Sequence, residues 1–241
     1  MNISRQILKK TAVYVGIVLL FLLISYSFVP QALGGKVLNQ SDHSGFLSMA
    51  KQAAEWNKAN PDNPTHWTDS MFSGMPTTSF MPSSEGDWTD GIYRLLMFGK
   101  RPANFLFISL LGAFLLMLSL GIDTIVAIGG AVAVTFCSYN IQIIQVGHNT
   151  KMQALAFLPW VLAATIFTYK SLLKKGDGWK SWLPETALGA SLFGFALSMQ
   201  VKANHQQITY YLALMLGIYV LSLFIWLLLE RERRTVISRY F

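Results

Sequence analysis

Cysteine, charge and histidine are all scarce in this chain. Of its 241 residues one is cysteine, 13% are charged and four are histidine. A lone thiol, Cys137, excludes a disulfide framework and a paired-cysteine metal site. It lies inside an apolar block and reads as a buried structural thiol. A soluble domain usually carries roughly twice this charged fraction, so an ordinary globular reading is excluded. The formal net charge of +7 does not point to nucleic acid. The basic residues form short clusters beside apolar blocks, and no basic patch is interleaved with aromatics.

What the chain has in quantity is apolar sequence, 53% of the whole. It falls into blocks of roughly 18 to 22 residues, enough for a helix to cross about 30 Å of hydrocarbon. Six spans can be drawn, at about 11–30, 103–121, 124–143, 153–169, 184–201 and 208–229. The expected fold class is therefore an all-α polytopic membrane protein with a large first extracytoplasmic loop. By domain, 1–30 is the first transmembrane helix and 31–102 the loop, 103–230 a five-helix bundle, and 231–241 a basic tail. Thr11 to Val29 exceeds the roughly 7 to 15 apolar residues of a signal peptide, and no cleavage site follows, so the segment reads as a retained span. Pro102 and Pro184 stand near helix starts, where a missing N–H costs little. Pro159, inside the fourth span, should kink it.

Orientation follows from lysine and arginine. With the N-terminus in the cytoplasm, inside segments collect Arg5, Lys9, Lys10, Lys170, Lys174, Lys175, Lys180, Arg231, Arg233, Arg234 and Arg239, eleven of nineteen basic residues. The expected location is the inner membrane of a bacterium. The stretch 31–102 then lies outside. Within it, Phe46, Met49, Ala50, Ala53 and Trp56 recur at helical spacing, and a second amphipathic run covers Trp88 to Phe98. Gly34-Gly35, Asn60 to Pro64 and the Gly-, Pro- and Ser-rich run 73–87 read as turn and loop.

This topology gathers the unusual polar residues on the outer side. His43, His66, His148 and His205 all fall there, as do Asp42 and Asp69. One hairpin tip holds His148, Asn149 and Lys151, and another holds Lys202, Asn204, His205, Gln206 and Gln207. Gln145-Val146 precedes one and Gln200-Val201 the other, a weak internal echo. Either tip alone is explained as solvated loop. Jointly they are richer in His, Asn, Gln and Lys than a tight turn requires. Lys151, Lys202, Lys100 and Arg101 also stand against the orientation bias, and outer cations suit the phosphate of a lipid-linked substrate. Asp42 is the sharpest candidate. It can act as a general base, ligate a divalent cation such as Mg or Mn with His43, His148 or His205, or cap the helix that follows.

The runs Gln40-Ser41-Asp42, Trp67 to Pro76, Arg101-Pro102-Ala103, Val146 to Lys151 and Ala203 to Tyr211 resemble, in order, the bacterial membrane family named for YfhO, in its Bacteroidetes-type members. The resemblance implies the GT-C class of glycosyltransferases, which use a polyprenyl-phosphate sugar outside the cytoplasm. It gives Asp42 the role of base, since that class places an acidic base in the first outer loop. It gives His43, Asp69, Arg101, His148, Asn149, Lys151, Lys202, Asn204, His205 and Gln206 roles in substrate contact, Asp69 with less weight because Asn often replaces it. Implied partners are the lipid-linked donor, membrane lipids and other membrane subunits. Family members are much longer, so the chain corresponds to an N-terminal or short form. A non-catalytic subunit and, less favoured, a transporter are the other classes.

Overall fold

The computed structural model describes residues 2–36, 38–79, 87–173 and 179–229. Lys174, Lys175, the tail 231–241 with its four arginines, and most of the 73–87 run past Ser79 lie outside them. The described chain is all-α apart from one two-residue hairpin, and helix follows the apolar blocks closely. Helix α1 spans Asn2–Phe28, and a short 3-10 turn then leads to Gly35, whose φ of +73° turns the chain back. The stretch between α1 and the bundle contributes α2 (Ser41–Ala59) and α3 (Asp90–Leu96), with strands β1 (Trp67–Thr68) and β2 (Met75–Pro76) paired antiparallel between them. Then come α4 (Ala103–Leu120), α5 (Thr124–Thr135), α6 (Ser138–Val146), α7 (Asn149–Leu172), α8 (Leu183–Lys202) and α9 (Gln206–Leu229).

Four of these helices are long and apolar enough to cross a membrane: α4, α7, α9, and α1 from Gln6. Helices α5 and α6 make a fifth if their bent pair is one span. The membrane character is thus supported, but the expected count of six is not reached by this measure. Helix α8 fills the fifth expected place, yet Pro184, Glu185, Gln200 and Lys202 dilute its apolar content. The third expected span is broken, with its halves at 43°. Cys137 is extended there, and Asn140 Nδ2 donates to the Val134 and Thr135 carbonyls at 3.1 and 3.2 Å, satisfying groups that the break leaves open. Cys137 is exposed at this joint and not buried as its apolar setting implied. By contrast α7 continues through Pro159 as one helix.

The core lies around α4, where Phe105, Leu106, Ile108 and Leu110 are fully buried. Small residues let the neighbours approach. A Cβ on Gly112 would lie 2.4 Å from the Trp160 ring, whose Nε1 donates to Ile108 O at 3.0 Å, tying α7 to α4. On the other face of α7, a Cβ on Gly189 of α8 would lie 2.9 Å from Thr168 Cα. Ser109 and Thr135 share a buried hydroxyl hydrogen bond of 3.0 Å between α4 and α5. Such small and hydroxylated contacts hold helices together where hydrocarbon surrounds them and apolar burial gives little drive.

The two ends of the bundle differ. At one end, Gly121 ends α4 in a left-handed cap with φ of +88°, and Asp123 accepts from Ile125 N at 2.9 Å to start α5. Lys170, from the last turn of α7, donates to Ser119 O at 2.6 Å at that same end. At the opposite end, the loop between α1 and α4 and the tips between α6 and α7 and between α8 and α9 come together.

Candidate functional site

The loop reaches the first tip through Gln40. Its side chain is buried, and Nε2 donates to the Ile144 carbonyl at the end of α6. Its amide also pairs with Asn149, with Asn149 Nδ2 donating to Gln40 Oε1 at 3.3 Å and Gln40 Nε2 to Asn149 Oδ1 at 3.5 Å. Between these groups passes Gly147, in a left-handed conformation with φ of +106°. A Cβ there would stand 2.9 Å from Gln40 Cβ and 3.1 Å from His43 N, so only glycine permits this approach. Helix α2 begins at Ser41, five residues before the hydrophobic spacing that starts at Phe46, which puts Asp42 in its first turn. There the carboxylate faces the positive end of the helix dipole. It does not cap: Gln40 holds the cap position, with no side-chain cap bond. Asp42 Oδ2 instead lies 3.2 Å from His148 Nε2 across the two segments.

This pair opens onto a cleft of about 510 Å³ lined by Asp42, His43, Arg101, His148, Asn149, Lys202 and Asn204, together with Phe46, Tyr93, Thr150 and Gln153. Seven of the expected site residues, drawn from three separate segments, thus share one cavity. Arg101 is set there by the turn before α4, where Lys100 N donates to Tyr26 Oη of α1 at 3.4 Å and Asn104 Nδ2 holds Met97 O at 3.1 Å.

The rest stand elsewhere. Asp69 accepts from Trp67 Nε1 at 2.9 Å in the hairpin packed on α2, and lines a different hollow with Gln52 and Trp56. Lys151 rests 5.2 Å over the Tyr139 ring, and Gln206 is exposed. His205 has a buried Nδ1 without a partner. Burial first, then the charges of Lys151 and His148, hold its pKa below the usual histidine value. It does not join Asp42 and His148 as a third ligand, and among the described residues no three His, Cys, Asp or Glu side chains converge as a metal site would need.

Charge within the cleft is uneven. Lys202 donates to Asp87 at 2.6 Å and lies 3.1 Å from Asp90, with its ammonium 5.6 Å over the Tyr93 ring. Burial works against its charge, but the hydrogen bonds to the two carboxylates outweigh this and raise its pKa. The bond from Lys202, followed by those from Thr89, lowers Asp87 to about 2. Burial pushes Tyr93 up to about 12, so it stays a neutral phenol. Lys202 is thus already balanced, while Arg101 has no carboxylate partner among the described residues and lies 5.9 Å over Phe105. Gln40, Tyr93, Asp87 and Asp90 shape the site without having stood out as functional candidates in the sequence. Gln40 was signalled only as part of the Gln40-Ser41-Asp42 run, and the others only by lying beside or within the second amphipathic run.

Comparison of the chain with family profiles, with curated proteins and with solved structures gives no match.

Proposed function

We propose that the protein is a GT-C-like glycosyltransferase of the YfhO type, acting on the extracytoplasmic side of a bacterial inner membrane. The observation that carries this reading is the Asp42–His148 pair, 3.2 Å apart, in a cleft shared with Arg101. A base that shares a cleft with a cation lacking a carboxylate partner among the described residues suits transfer from a phosphate-linked sugar. Asp42 takes the proton of an acceptor hydroxyl while that oxygen bonds to the anomeric carbon. The bond from that carbon to the phosphate oxygen breaks, and its electron pair leaves with the polyprenyl phosphate. Arg101 meets the charge that grows on the leaving phosphate. His148 orients the carboxylate, and Asn149, Asn204 and His43 offer polar contacts to the sugar. The sidedness rests on the lysine and arginine pattern, with Lys170 at the end opposite the cleft.

Asp42→Asn keeps the shape and removes the base. Transfer from a polyprenyl-phosphate sugar to envelope glycan should fall by roughly 100-fold or more. Unchanged glycan modification at equal protein level would remove Asp42 from the mechanism.

A second reading, a non-catalytic subunit, is favoured by one observation. Helices α1 and α9 are barely buried, with 11% and 6% of their most apolar stretches covered. Those faces suit lipid or further membrane chains equally, and copurification of a stable complex with no turnover by either part alone would favour it. A carrier is less well supported, because α4, α5 and α9 contain no charged residue and α7 and α8 carry theirs only near their ends.

A further inference from the structure

We propose that a groove beside the cleft seats the hydrocarbon of a polyprenyl monophosphate, with Arg101 and Lys36 holding its phosphate. The identity of the lipid rests on the reading above, but the groove is a separate feature. It encloses about 540 Å³ between the end of α1, the turn that follows it, and α6. Phe28, Val29, Leu38, Ile141 and Ile144 give it an apolar wall. Lys36 and Arg101 are its two cations, and among the described residues neither has a carboxylate partner. An apolar slot with two cations that lack a carboxylate partner among the described residues is complementary to an anion that carries a chain.

Arg101 decides between anions. It lines both this groove and the cleft that holds Asp42 and His148. A phosphate on its guanidinium would therefore have a tail on one side and a headgroup on the other. That division matches a chain–phosphate–sugar order. Lys202, on the far side of the cleft, is held by Asp87 and Asp90 and does not compete for the phosphate. Two charge-assisted contacts from different segments would fix the phosphate at the junction.

The test uses the purified full chain in nanodiscs of phosphatidylcholine, with a radiolabelled long-chain polyprenyl monophosphate as the probe. Lys36→Glu and Arg101→Ala should each weaken binding roughly tenfold. Leu38→Trp, at a partly exposed position on the groove wall, should weaken it comparably by filling the slot. Lys58→Ala, an exposed cation on α2, should leave it unchanged. Thermal unfolding of each variant checks that the fold persists, and Lys36→Glu, at the surface, keeps the test open if Leu38→Trp misfolds. Wild-type binding that survives all three groove variants would overturn the proposal. So would displacement of the probe at equal concentration by phosphatidylglycerol, which would mean a general anionic-lipid site, or displacement by inorganic phosphate alone. Binding that obeys these variants and persists in Asp42→Asn, without transfer from any sugar donor by the wild type, would leave the groove standing and remove the glycosyltransferase reading. Transfer with binding indifferent to the groove variants would do the reverse.

Discussion

Two titratable residues at the cleft end answer pH in opposite chemical senses but with the same sign for stability. Asp87 is lowered to about 2 by its bond from Lys202, so the stability it contributes is present above the ordinary carboxylate pKa and is lost as pH falls toward 2. His205 is held below the usual histidine pKa by burial, and its Nδ1 has no partner to receive a proton's charge. The unfolded chain therefore binds the proton more readily, and stability rises with pH through the window just below that usual value. Thermal unfolding in detergent should show Tm falling between about pH 7 and about pH 5. His205→Gln should flatten that fall while leaving Tm near pH 7 little changed. An equally steep pH dependence in the variant would place the effect elsewhere.

Among the elements, the closest approaches belong to glycines. Gly147→Ala forces a side chain into a left-handed backbone, with its Cβ 2.9 Å from Gln40. It should cost roughly 1 to 3 kcal/mol and loosen α2 from the α6–α7 tip. Gly189→Val should separate α8 from α7 at Thr168 and lower Tm by several degrees, with cleft chemistry affected only secondarily. Measuring Tm and lipid binding for both variants separates the two, since only Gly147 touches the site. These elements differ in how legible they were. The helices α4, α7 and α9 are continuous apolar blocks, and hydropathy alone placed them. The break at Cys137 was not legible, because 124–143 reads as one apolar block and the Asn140 side chain that satisfies the two opened carbonyls leaves that reading unchanged. Pro159, expected to kink its span, lies within one continuous helix. The start of α2 was missed because its first turn is polar and faces the cleft, so hydrophobic spacing begins only at Phe46.

At the scale of the whole molecule, topology was the part of the site that the sequence could carry. Positive-inside bias and span length put Asp42, His148 and Lys202 on one side, and they do meet at one end of the bundle. Pairing was beyond it. Nothing in the order of residues links Lys202 to Asp87, 115 positions away, or pairs Asp69 with Trp67 in its hairpin. Orientation is thus the premise on which every outer-face role rests, and it can be tested directly. Cys137→Ser removes the one native thiol, leaving a background for single cysteines. A cysteine at Asp62, in the loop after α2, should react with an impermeant maleimide in intact spheroplasts. A cysteine at Lys180, between α7 and α8, should react only after permeabilisation. The reverse pattern would turn the cleft toward the cytoplasm, and with it the proposed donor lipid would lose access to Arg101 from the outer leaflet.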